Sequence, residues 1–165
     1  MSSLIGAAGE YYVMSELLRR GMIAALAPLG VPNCDILITD RGGRKFCAIQ
    51  VKTRGSDSRD KGWHMNKEHE KITGSMFFYC FVDFVHNGSL LPIAYIIPAR
   101  VVAKNLTECY RAWLGQPGKN GRQRNDNNFR RFLPDNSHLG IEKYNAGWLE
   151  EHKNAWHVLQ QTVNV

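Results

Sequence analysis

Residues 75–85 read SMFFYCFVDFV, apolar or aromatic at nearly every position. The run is far short of the roughly 18 residues that span a bilayer. A short, near-continuous apolar run rich in aromatic residues fits a strand buried on both faces at the centre of a sheet. A sheet with such a strand needs a packed layer on each side. The rest of the chain must supply those layers.

It has the elements to do so. Residues 3–20 read as a helix closed by Arg19, Arg20 and Gly21, basic residues and then glycine being a common helix ending. MIAALAPL (22–29) and CDILITD (34–40) read as strands. A turn at Arg41–Gly42–Gly43 leads into a third, RKFCAIQVKT (44–53), so a β-meander follows the first helix. NKEHEKI (66–72) suggests one or two helical turns. The pair Asn87–Gly88 signals a tight turn into LLPIAYIIP (90–98). ARVVAKNLTECYRAWL (99–114) reads as a helix with a break near Asn105, and residues 145–161 as a C-terminal helix. Between them, residues 115–128 read as a long mobile loop. The order α-β-β-β-(α)-β-β-α-α predicts one α/β or α+β domain over residues 1–165, with a mixed sheet flanked by helices.

The polar residues that break this apolar pattern are informative. On a strand, Phe46, Ala48, Gln50 and Lys52 share one face and Cys47, Ile49, Val51 and Thr53 the other. The second face is continuous core; the first turns polar at its end. Glu10 shares a helical stripe with Ala7, Val13, Met14 and Leu17, where an acid is costly to bury without compensation. Gly6 and Gly9 would let another element approach that helix closely. Asp35 opens the second strand. An antiparallel pairing about Gly42 brings residue 35 opposite residue 50. Two carboxylates, an amide oxygen and an ammonium would then converge. That donor set suits Mg²⁺-assisted phosphodiester hydrolysis, because Mg²⁺ takes oxygen ligands and a nearby lysine can stabilise transition-state charge.

The segment GAAGEYYVMSELLRRG…CDILITD…FCAIQVKTRG resembles the PD-(D/E)XK nuclease superfamily, in particular the archaeal Holliday junction resolvases and related restriction or homing endonucleases. The likeness covers residues 4–54. In that pattern a glutamate stands on the first helix, an aspartate opens a strand and an acid-x-lysine tripeptide lies on the next. Glu10, Asp35, Gln50 and Lys52 match these places. Cys34 precedes Asp35, so the proline of the motif is not literal. The tripeptide is Gln-Val-Lys, a variant of Mrr-like and intron-encoded enzymes. The resemblance implies a restriction-endonuclease-like core and a DNA endonuclease using Mg²⁺, with Mn²⁺ as a substitute. It makes Glu10, Asp35 and neutral Gln50 metal ligands and Lys52 the water-orienting or charge-stabilising group. It also implies a homodimer or higher homo-oligomer for cutting two strands.

The net charge of +6 suits a polyanionic partner. Arg54, Arg59 and Lys61 follow the site directly, and Lys119, Arg122 and Arg124 lie in the basic loop with Arg130 and Arg131 beyond. These are the expected DNA contacts. His64 and His69, like His152 and His157, are spaced i, i+5 and share no helical face, so they read as surface or core residues rather than metal ligands. Trp63 and Trp113 read as packing residues. The four cysteines form no CxxC pair and read as free thiols. With no secretion-signal pattern, a cytoplasmic location without membrane contact is expected. The neutral Gln50 keeps an alternative open, a catalytically silent DNA-binding module on a nuclease scaffold. A third reading is a basic protein-interaction domain.

Overall fold

The computed structural model describes residues 2–55, 61–85 and 91–164. Helix α1 (Ser2–Arg19) ends as the sequence suggests. Gly21 adopts φ 78° and donates to Leu18 O, while Met22 N donates to Leu17 O at 3.1 Å, the paired bonds of a glycine-closed helix. Strands β1 (Ile23–Leu26), β2 (Ile36–Thr39) and β3 (Phe46–Arg54) form the antiparallel meander. In the turn between the last two, the Asp40 carboxylate accepts from the backbone of Arg44 and Lys45. Strands β4 (Trp63–Asn66) and β5 (Phe77–Asp83) follow, then β6 (Ile93–Pro98), helix α2 (Ala99–Gly115), β7 (Phe129–Phe132) and α3 (His157–Val163).

The main sheet has the order β1-β2-β3-β5-β6, with β3 and β5 parallel and every other pair antiparallel. The apolar run sits near its middle. Phe78, Cys80 and Val82 face a core built with Val13 and Leu17 of α1 and Leu159 and Val163 of α3. Tyr79 and Phe81 face a second core with Val102 and Leu106 of α2. Both faces of β5 are thus buried, which is why its sequence shows no period of two.

Four sequence expectations fall differently. Trp63, which ends the polar stretch 55–63 that reads as a loop, and Phe129, which follows the basic loop, begin two strands that pair as a second, antiparallel sheet of β4 and β7. It packs its Trp63 and Phe132 onto Phe81, with the Phe81 and Phe132 rings stacked at 4.1 Å. Helix α2 runs unbroken through Asn105, which is fully buried. An asparagine inside a helix costs about 0.7 kcal/mol in propensity, and its buried amide, without a hydrogen-bond partner, costs more; the burial of Val102, Leu106 and Cys109 around it works against both. The C-terminal helix starts only at His157. Asn154, at φ 50°, donates its backbone N–H to Ala94 O and accepts from Ala94 N through its side chain. Docking on the β6 edge thus replaces helix in residues 145–156. Finally, the basic loop is fastened down: Arg124 donates to Trp113 O at 2.8 Å, and Gly118 N to Arg122 O. The Asn87–Gly88 turn lies outside the described residues.

Glycine 9 fixes how closely α1 approaches the sheet. A Cβ there would lie 1.9 Å from Thr53 Oγ1 and 3.0 Å from Thr53 Cβ, whereas one at Gly6 would meet nothing within 4 Å. In an open helix Gly→Ala stabilises by roughly 1 kcal/mol. Here Gly9→Ala is expected to destabilise by about 1–3 kcal/mol, read as a lower urea midpoint. Adding Thr53→Ala should return part of the loss.

Candidate active site

The meander's register builds the site. Ile36 pairs with Ile49, so Asp35 stands opposite Gln50, as the turn spacing predicts. Asp35 is clamped through its backbone, donating to Ile49 O at 2.9 Å and accepting from Ala27 N at 2.8 Å. Its Oδ2 accepts from Gln50 Nε2 at 2.8 Å and from Val51 N at 2.7 Å. The carboxylate is held in one orientation at the start of β2, beside the C-terminal half of β3.

Gln50 is 8% exposed. Since its amide nitrogen must face the Asp35 carboxylate, its oxygen is directed elsewhere. That oxygen, Oε1, is buried and has no hydrogen-bond partner. A buried acceptor without a donor costs free energy; a water or a cation beside it would satisfy it.

Glu10 and Lys52 respond to the same carboxylate. Burial, and then the Asp35 charge, push the Glu10 carboxyl above its ordinary value. Burial holds the Lys52 ammonium below its ordinary value, with Asp35 opposing. Gln50 thus contacts Asp35 directly, and the Asp35 charge acts on both Glu10 and Lys52. Among the described residues no three His, Cys, Asp or Glu side chains cluster as a metal site. The donor set here is two carboxylates and an amide oxygen, all hard oxygen donors of the kind Mg²⁺ takes.

Sequence reasoning did not foresee what stands behind the lysine. His69, on the 3₁₀ turn Lys67–Lys71, is 3% exposed and its Nδ1 lies 2.8 Å from the Tyr79 hydroxyl. Tyr79 pairs with Gln50 across the parallel ladder, so the two share a face. Burial, then the Lys52 charge, take the His69 pKa from 6.5 to about 4. Folding thus favours the neutral ring. That stability is complete above pH 6.5 and drains away as the unfolded chain takes up the proton, down to about pH 4. The expected slope is about 1.4 kcal/mol per pH unit. Urea titrations across this window should show it, and His69→Phe should flatten it.

The expected DNA contacts divide. Arg54 is engaged within the fold: it pairs with buried Asp83, donates to Lys61 O and lies 4.5 Å over the Trp63 ring. Arg124 is engaged likewise, 4.5 Å over Trp113. Both departures have one cause, since a guanidinium packs on an aromatic face and caps a carbonyl at once. Lys61, Lys119 and Arg122 are exposed. Arg59 lies outside the described residues. Trp63 is buried in the second core, as a packing residue should be.

No protein-family model matches the chain, and no curated protein does. Among solved structures it is similar to the bacterial homing endonuclease I-Ssp6803I, at 13% identity over 98% of this chain and 92% of that one, with a TM-score of 0.55. It is also similar to Hjc, a Holliday junction resolvase from the archaeal hyperthermophile Archaeoglobus fulgidus, at 12% identity over 74% of this chain and 86% of that one, with a TM-score of 0.36. The likeness to the homing endonuclease is one of fold: the chain has a restriction-endonuclease-like fold, a mixed sheet flanked by helices. Among the described residues no helix is long and apolar enough to cross a membrane.

Proposed function

We propose that the protein is a Mg²⁺-dependent endonuclease that hydrolyses phosphodiester bonds in DNA, with Mn²⁺ able to replace Mg²⁺. The observation that carries this reading is the pair Asp35–Gln50: a fixed carboxylate beside a buried amide oxygen with no partner. Asp35, Glu10 and Gln50 Oε1 would hold the ion. Bound there, it supplies a water of lowered pKa and neutralises charge on the phosphate. The residues around it have separate tasks. Gln50 Nε2 and Val51 N orient Asp35, as outer hydrogen bonds commonly orient ligating groups. Lys52 offers a positive charge to the phosphoryl oxygens as they gain charge. Glu10, whose carboxyl burial and the Asp35 charge push above its ordinary value, would be stabilised in its charged form by a cation beside it.

Lys61, Lys119 and Arg122 are the cations placed to meet the DNA backbone, and Arg59 belongs with them by position in the sequence. Arg54 and Arg124 hold the segments that carry these cations. Four free cysteines suit a reducing cytoplasm. A homodimer fits an enzyme that cuts both strands.

Incubating duplex, branched and single-stranded DNA with the protein tests the proposal. Cleavage of at least one substrate is expected in Mg²⁺ or Mn²⁺ and none in EDTA. The neutral Gln50 favours one other reading, a silent DNA-binding module. Salt-dependent DNA affinity that survives Asp35→Ala, with no cleavage in either metal, would establish that instead.

A further inference from the structure

A cavity of about 320 Å³ opens between the second half of α2 and the segment carrying β7. This is at the small end of ligand pockets, which run roughly 300–1,000 Å³. Leu106, Cys109 and Leu133 give it an apolar floor. One wall is a row of flat groups. Arg124 lies 4.5 Å from the Trp113 ring, Trp113 stacks on Tyr110 at 5.4 Å and 23°, and the Arg130 guanidinium lies 3.2 Å over Tyr110. Phe129, 46% exposed, offers a ring to whatever enters.

The polar groups narrow the occupant. Arg130 is 5% exposed, paired with Glu70 and 3.6 Å from Asp126. Its charge is therefore offset by acids of the fold. Gln116, Asn127 and Asn136 line the cavity as well, and side-chain amides bring donors and acceptors together. A flat ring with mixed donors and acceptors on its edge meets all these conditions, and the edge of a nucleobase is such a group. The walls are already built: Tyr110 OH accepts from Asn127 N at 2.8 Å, and Trp113 O accepts from Arg124. The 3₁₀ turn links the cavity to the candidate site: Glu70 binds Arg130 of the lining, and the Lys52 charge acts on its neighbour His69.

We propose that this cavity receives one unpaired nucleobase of the DNA strand, so that the favoured substrate carries an unpaired nucleotide near the cut. The proposal rests on DNA being the partner, as inferred above. The test uses the full chain carrying Lys52→Ala in Mg²⁺, so that DNA is bound and not consumed. The probes are a duplex with a single bulged 2-aminopurine, the same duplex with that base paired, and free dAMP. The bulged duplex should bind about ten-fold more tightly than the paired one, with quenched fluorescence. Phe129→Ala and, separately, Gln116→Ala should bring it to the paired level and leave paired binding unchanged. Equal affinity for both duplexes would overturn the base pocket and leave the nuclease reading intact. Preference for the bulge, with no cleavage by the wild type, would uphold the pocket and remove the nuclease reading. Saturation by dAMP at concentrations where the bulged duplex does not bind would mark a free-nucleotide site and overturn the proposal.

Discussion

Lys52→Ala is expected to lower metal-dependent DNA cleavage by roughly 10²–10³-fold or more while DNA affinity stays close to wild type. The separation follows from where Lys52 stands. Its ammonium is partly withdrawn from water at the end of β3, its pKa is lowered by burial, and Asp35 is the acid that opposes the shift. A charge kept in such a place costs free energy, so removing it should leave the urea midpoint unchanged or slightly raised. The cations proposed to hold the DNA backbone are elsewhere, so binding should survive. Lys52→Arg is a sharper control. It keeps the charge, but its planar fork cannot occupy the place of a compact ammonium, so activity should stay low. Single-turnover cleavage beside anisotropy titration measures both quantities. If Lys52→Ala cuts as fast as wild type, the assignment of this site is wrong.

How much of this could be read from the chain depends on the range of each interaction. The face of β3 bearing Gln50 and Lys52 follows from a period of two, and the meeting of residues 35 and 50 from one short turn. Both are local, and the structure has both. The second sheet was not legible. Its strands have four residues each, and the pairing of Trp63 with Phe132 joins distant segments; no local pattern encodes such a partner. Arg54 shows the same limit. In the sequence it is a basic residue beside a candidate site, and only the fold shows Asp83 and the Trp63 ring taking it up. The His69–Tyr79 pair was hidden for a different reason: an i, i+5 test for metal ligands cannot detect a histidine whose partner is a hydroxyl on another strand. The tightness of α1 against β3 was half legible. Gly6 and Gly9 look alike in the sequence, and only Gly9 faces Thr53.

Gln50→Glu restores the acid that the resembling family carries at this place, and it should make the protein depend on metal for stability. In the wild type, Gln50 donates to Asp35 Oδ2. A glutamate removes that donor and sets a second carboxylate against the first at a site 8% exposed in the wild type. Two carboxylates that close cannot both ionise freely, so the pair's apparent pKa in the folded protein rises above the unfolded values. A raised folded pKa gives stability that is fully present below the unfolded pKa, near 4, and is lost as pH climbs through the folded value. The variant should therefore match the wild type near pH 4 and fall behind by about 1–3 kcal/mol at pH 7 to 8 in EDTA. Divalent cation reverses the sign of the problem. A third carboxylate beside Asp35 and Glu10 strengthens an oxygen site for Mg²⁺, and binding to the folded state alone adds RT ln(1 + [Mg²⁺]/Kd). Urea midpoints at pH 4 and pH 7.5, with EDTA or with Mg²⁺, should show a deficit only at the higher pH without metal, and a larger Mg²⁺ gain than in wild type. The variant should also cleave at lower Mg²⁺ concentrations. Midpoints indifferent to both pH and metal would mean that the Gln50 oxygen does not face a cation, and the neutral residue would then mark a scaffold that has lost its chemistry.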